Sequence, residues 1–224
     1  MKKGLFRFVA MEVGAYALHG LLGARRRRPL AAGPGPTVVF IHGHGGSGGG
    51  FHYLERALRR EGHRRFASWE YDAHGTVDDV AAALAEWVRR EIDGEIHVVG
   101  HSLGGILARA WLQELGGRAR ARSLVTLSTP HRGLAALPGA GLLPLVRELS
   151  AGSPLLRRLD ASVGALEGLP CLSVVSVRDH FVRPWANAGF DGARLVPVQH
   201  VGHVGVLFSR RVHRVVAEHL AAAR

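Results

Sequence analysis

Five residues carry the clearest chemistry in this 224-residue chain: Gly100-His101-Ser102-Leu103-Gly104. They follow a β-prone run, Ile96 to Val99, and lead into a segment rich in Ala, Leu and Trp. A G-x-S-x-G pattern at such a junction places the serine on a sharp strand-to-helix turn. Glycines flank it because a side chain there would crowd the turn. A serine hydroxyl is a weak nucleophile at neutral pH. It needs a base within hydrogen-bond reach and a third group to orient that base. The chain has 14 histidines, so position must sort them.

The elements that would position those groups are read from periodicity. Thr37–His42, Arg65–Tyr71, Glu95–Val99, Arg122–Ser128, Cys171–Val177 and Arg194–Val198 read as short apolar strands. Helical spacing marks Phe51–Gly62, Thr76–Ile92, Leu103–Leu115 and Val206–Ala222 between and after them. Strands alternating with helices predict an α/β fold, a mostly parallel sheet of about six strands with helices on both faces. In such sheets the chemistry sits at the carboxyl ends of the strands, and the order Ser, acid, His is expected along the chain. Asp179 follows the fifth strand by two residues. His203 follows the last strand within Gly202-His203-Val204-Gly205, where small neighbours would let the loop swing toward the serine. Asp160, Asp191, His180 and His200 are the rivals, His200 the main one. The glycine-rich loop after the first strand, His42-Gly43-His44-Gly45-Gly46, offers a second oxyanion donor. The backbone N–H of His44 would pair with that of Leu103.

Composition narrows the classes. One cysteine, Cys171, excludes an internal disulfide. The formal charge of +11 rests almost wholly on arginine, since Lys2 and Lys3 are the only lysines. No basic-aromatic module accompanies it, so nucleic acid is not an expected partner. Neither a phosphate-cradling glycine motif nor a zinc-ligand grouping is present, so no cofactor and no metal are expected.

Residues 1–28 form an N-terminal unit: an apolar stretch, residues 8–24, between Lys2, Lys3, Arg7 and the run Arg25–Arg28. A signal peptide, a membrane span and a helix lying on the protein or at a membrane surface compete. The last is favoured, because Glu12 and His19 stand seven apart and share one face of an otherwise apolar helix. Membrane association is therefore expected over secretion. Residues 29–36 are a Pro/Gly/Ala linker, and residues 37–224 the catalytic domain. Within it Leu134 to Pro170 breaks the strand–helix rhythm, with Leu142, Leu143, Leu145, Val146, Leu155, Leu156 and Leu159 cut by Gly and Pro. It reads as a cap or lid, or as short helices covering the sheet edge.

These residues resemble the α/β-hydrolase fold lipases and esterases, and more narrowly the small bacterial triacylglycerol lipases of the class 2 type. The matching pieces are VVFIHGHGG (Val38 to Gly46), VVGHSLGG (Val98 to Gly105), LSTPHRG (Leu127 to Gly133), GSPLLRRLD (Gly152 to Asp160) and GARLVPVQHVGHVGVLFS (Gly192 to Ser209). The resemblance implies Ser102 as nucleophile, Asp179 as acid, His203 as base, and His44 and Leu103 as oxyanion donors. It implies a serine hydrolase of carboxylic esters, with a lipid or other apolar acyl ester as substrate. The alternatives are an acyltransferase using the same three residues and a membrane-associated binding protein without turnover.

Overall fold

The computed structural model describes residues 12, 14, 15, 17–22, 33–71, 74–134 and 144–223. Six strands form one sheet: β1 (Thr37–Ile41), β2 (Arg65–Trp69), β3 (Ile96–His101), β4 (Ala121–Leu127), β5 (Cys171–Ser176) and β6 (Ala193–Val198). Their order is β2-β1-β3-β4-β5-β6, and every neighbouring pair is parallel. The described residues thus form a six-stranded parallel sheet with helices on both faces, the α/β architecture the sequence predicts. The helices are α1 (the helical residues between 12 and 22), α2 (His52–Arg60), α3 (Val77–Glu91), α4 (Leu103–Glu114), α5 (Pro144–Glu148), α6 (Pro154–Ala161) and α7 (Arg210–Ala222).

Alternation along the strands splits the core in two. Val39 and Ile41 of β1 and Val98 of β3 face α3, α4 and α6, where Leu84, Ile106, Leu107 and Leu159 are fully buried. Val38, Phe40 and Val99 face the opposite way, onto Leu54 and Leu58 of α2 and Val212, Val216 and Leu220 of α7. Thr76 starts α3 with a capping box, its hydroxyl accepting from the Asp79 N–H while the Asp79 carboxylate accepts from the Thr76 N–H.

The last helix differs from the sequence reading. Residues 206–222 are not one helix: a single 3-10 turn, Gly205–Phe208, ends at Ser209, which caps α7 through its hydroxyl and the Val212 N–H. A serine whose side chain bonds the backbone ahead of it starts a helix more readily than it continues one.

In the region 134–170, α5, the turn after it and α6 bring Leu145, Leu149, Leu155, Leu156 and Leu159 into the core beside α3 and α4. Leu142 and Leu143, the Val146 side chain, and the run Arg25–Arg28 lie outside the described residues. Among the described residues no helix is long and apolar enough to cross a membrane. Of α1, Ala15 and Leu22 are buried and Leu21 is 68% exposed.

Candidate functional site

The sheet order fixes where the site forms. From β1 the chain crosses to the edge strand β2, then returns to the other side of β1 as β3. Helices therefore leave β1 and β3 in opposite directions, and a crevice opens at the carboxyl ends of these two strands. The β3 end carries Ser102 and the β1 end carries the loop beginning at His42.

Ser102 holds φ 52° and ψ −122°, a backbone state that a residue with a side chain reaches only under strain of roughly 1–3 kcal/mol. Three backbone features hold it there. The Ser102 N–H donates to Leu127 of β4 at 2.9 Å, and its carbonyl accepts from the Gly105 N–H at 3.0 Å. At Gly104 a Cβ would lie 2.1 Å from the Ile41 carbonyl oxygen, so α4 can start against β1 only without a side chain. The result is a half-buried serine standing between a strand end and a helix start.

The residues expected around it come together from 77 to 101 positions away. Oγ of Ser102 lies 3.0 Å from Nε2 of His203. Nδ1 of His203 lies 2.8 Å and 3.0 Å from the two carboxylate oxygens of Asp179. Asp179 is 1% exposed and His203 5%. A carboxylate only accepts hydrogen bonds, so Nδ1 carries the proton and Nε2 is free to accept from the serine hydroxyl. Burial alone would raise the Asp179 carboxyl. The His203 ring and the N–H groups of Val182 and Phe181, which donate to it at 3.0 and 2.9 Å, hold it below the ordinary carboxylate value.

The rivals are elsewhere. His200 is exposed, in a turn with φ 66°. His180 is half-buried with its ring centroid 6.1 Å from that of His203. Asp160 pairs with Arg109 at 3.2 Å and Asp191 with Arg132 at 3.5 Å.

His44 lies exposed in the turn after β1, and Leu103 is the first residue of α4. The loop touches the serine: a Cβ on Gly43 would lie 2.9 Å from Cβ of Ser102. The N–H of Leu103 belongs to the first helical turn, whose donors have no partner within the helix.

Three further residues support the site although the sequence did not assign them to it. His101, buried beside Ser102, donates through Nε2–H to the His203 carbonyl at 3.0 Å. Burial, then the charge of His203, pushes its imidazole down to about 3, so it is neutral. Tyr71 donates its hydroxyl to the His42 carbonyl at 2.7 Å and stacks on the His42 ring at 4.4 Å, bracing the loop after β1. Its place just beyond β2, at the same sheet edge, was the available signal. Glu12 of α1 is the third, a carboxylate only 8% exposed. Among the described residues no group of three or more His, Cys, Asp or Glu side chains could hold a metal ion.

Residues 37–162, more than half of the chain, match the family model for palmitoyl protein thioesterase. The chain belongs to the palmitoyl protein thioesterase family. The matched stretch contains β1 and its loop, the Ser102 turn and α4; it stops before Asp179 and His203. The fold is similar to that of the mature Bacillus licheniformis lipase BlEst2, with a TM-score of 0.70 at 16% identity over 90% of this chain and 96% of that one. A bacterial membrane phospholipase A described as a virulence factor has a TM-score of 0.63 at 15% identity, over 98% and 93%. A Paleococcus ferrophilus monoacylglycerol lipase has 0.62 at 15%, over 84% and 95%. Family and fold agree with the lipase and esterase resemblance of the motifs: this member of the thioesterase family is an α/β-hydrolase.

Proposed function

We propose that this protein cleaves esters of apolar acyl groups, oxygen esters or thioesters, through an acyl-enzyme on Ser102. The hydrogen-bonded chain Ser102–His203–Asp179 supports this reading most directly. Ser102 Oγ attacks the acyl carbonyl as its proton passes to Nε2 of His203. Asp179 keeps the other ring nitrogen protonated and stabilises the imidazolium. The negative charge gathering on the carbonyl oxygen is met by the N–H groups of His44 and Leu103, each worth ~10²–10³ in rate. His203 returns the proton to the leaving alcohol or thiol, the carbon–oxygen or carbon–sulfur bond breaks, and the acyl group stays on Ser102. Water, deprotonated by His203, then releases the carboxylic acid and restores the serine.

The family match favours an acyl thioester. A chromogenic series of oxygen esters and thioesters with short and long acyl chains decides between them. Wild-type turnover, with kcat lower in Ser102→Ala by on the order of 10⁴–10⁶-fold, is the expected result. No turnover on any substrate and no labelling of Ser102 by a fluorophosphonate would remove the reading.

Association with a lipid surface through residues 1–28 belongs to the same proposal. The exposed Leu21 and the basic residues on both sides of the apolar stretch support it. Co-sedimentation with vesicles of anionic phospholipid should weaken in Leu21→Asp; equal recovery of both forms would rule that contact out.

A further inference from the structure

The polar stripe of α1 faces inward. Glu12 and His19, seven residues and about 10.5 Å apart along the helix, meet the two loops that flank Ser102. His19 lies against the loop after β1: a Cβ on Gly50 would stand 2.5 Å from its ring. Glu12 is 8% exposed, and its Oε1 accepts from the N–H of Val204 at 2.8 Å and of Gly205 at 3.3 Å.

These contacts bear on one peptide unit. The bond joining His203 to Val204 has its carbonyl on His101, at 3.0 Å, and its N–H on Glu12, at 2.8 Å. In a trans peptide these two groups point in opposite directions, so the unit is gripped from both sides. One grip comes from the residue beside the serine, the other from a helix some 190 positions earlier in the chain. A third bond, from the Ser176 hydroxyl to the Val201 carbonyl, fixes the loop upstream. Gly202 now has a different reason from the freedom to swing that the sequence suggested. A Cβ there would lie 2.1 Å from Oε2 of Glu12, so the glycine admits the carboxylate, and the loop is pinned.

We propose that α1 is part of the catalytic assembly and that Glu12 is a positioning residue for His203, acting through the backbone of the histidine loop. His203 must hold Asp179 and Ser102 at once, and a displacement near 1 Å can cost ~10² in rate. Glu12 touches neither substrate nor reacting atoms. It needs only an acceptor oxygen at its end, so the carboxamide of Gln can replace it and the methyl of Ala cannot.

The inference rests on the hydrolase reading, and its test separates the two. Full-length wild type, Glu12→Ala and Glu12→Gln are compared for ester hydrolysis, for the rate of fluorophosphonate labelling of Ser102, and for amide hydrogen exchange over residues 201–206. Glu12→Ala should lower kcat and the labelling rate roughly 10–100-fold with KM within about twofold, and should speed exchange at Val204 and Gly205. Glu12→Gln should restore kcat to within about threefold of wild type. Wild-type kcat in Glu12→Ala, or no restoration by Gln, would overturn the assignment. If wild type itself turns over no ester, the hydrolase reading fails and exchange alone judges the clamp. Faster exchange in Ala but not in Gln upholds it; unchanged exchange in Ala removes it.

Discussion

Among the described residues, two buried imidazoles, those of His203 and His131, meet a hydroxyl at one and the same distance. His203 Nε2 lies 3.0 Å from Ser102 Oγ, and His131 Nε2 lies 3.0 Å from Thr126 Oγ1. The third partner separates them. Nδ1 of His203 meets the Asp179 carboxylate, which can only accept; Nδ1 of His131 meets Nη1 of Arg109 at 3.4 Å, which can only donate. The protons therefore sit on opposite nitrogens. His203 offers its hydroxyl partner a lone pair, and His131 offers its partner an N–H. Only the first arrangement can take a proton from a hydroxyl.

Surroundings complete the contrast. Ser102 is half-buried at the crevice, whereas Thr126, His131 and Arg109 are all fully buried. Arg109 is spent on structure. It donates to Gln113, to the Leu159 carbonyl and to Asp160, and covers the Phe190 ring at 4.6 Å. His131 stays below the ordinary imidazole value because it is buried and because Arg109 and Arg132 are cationic neighbours. The LSTPHRG stretch, conspicuous in the sequence, thus supplies a strut between β4, α4 and α6.

The largest expected effect comes from giving the first site the tautomer of the second. Asp179→Asn presents a donor to Nδ1, leaves the proton on Nε2, and should lower kcat by about 10⁴-fold with the unfolding midpoint nearly unchanged. Steady-state kinetics and urea unfolding on the same preparation check both halves. Arg109→Ala should do the reverse: a loss of about 2–4 kcal/mol in stability from the emptied volume and lost hydrogen bonds, with kcat per folded molecule retained. A kcat loss beyond a few-fold there would join the two regions functionally. Thr126→Val leaves the His131 N–H unpaired and should cost about 1–3 kcal/mol in urea unfolding, whereas Ser102→Ala, on the proposed function, should show as a loss of activity in the ester assay.

The smallest effect is a slope. His101 and His131 are held neutral in the fold, while in the unfolded chain each titrates near its ordinary value of about 6.5. Below that pH the unfolded state binds more protons, so stability is full above about 6.5 and falls as pH drops, by about 1.4 kcal/mol per pH unit for each group. Asp179, with its carboxyl held low, loses its contribution only at more acid pH. Unfolding midpoints between pH 7 and 5 should show a shallower slope in His131→Gln than in wild type; equal slopes would mean that His131 is protonated in the fold.

Legibility followed the range of the interaction. Each of the six strands was readable to within about two residues; β1, β3 and β5 are buried on both faces along their whole length, while the edge strands β2 and β6 are buried only in part. Asp179 and His203 were readable because this topology puts the carboxyl end of each strand at one edge, and chain order then selects among the histidines. Tyr71 and His101 could not be ranked, since their value lies in which carbonyl each one meets. For Glu12 the sequence showed a polar stripe and left its direction open, outward to a lipid surface or inward to the protein.

The sequence by itself determined the strand–helix alternation, the strained serine turn and the candidates for base and acid, all of them consequences of local pattern and chain order. The tertiary structure alone decided the protonation pattern of two similar histidines and the inward docking of α1. Each depends on a partner between 22 and 192 positions away, and no local periodicity encodes which nitrogen faces a carboxylate and which a guanidinium.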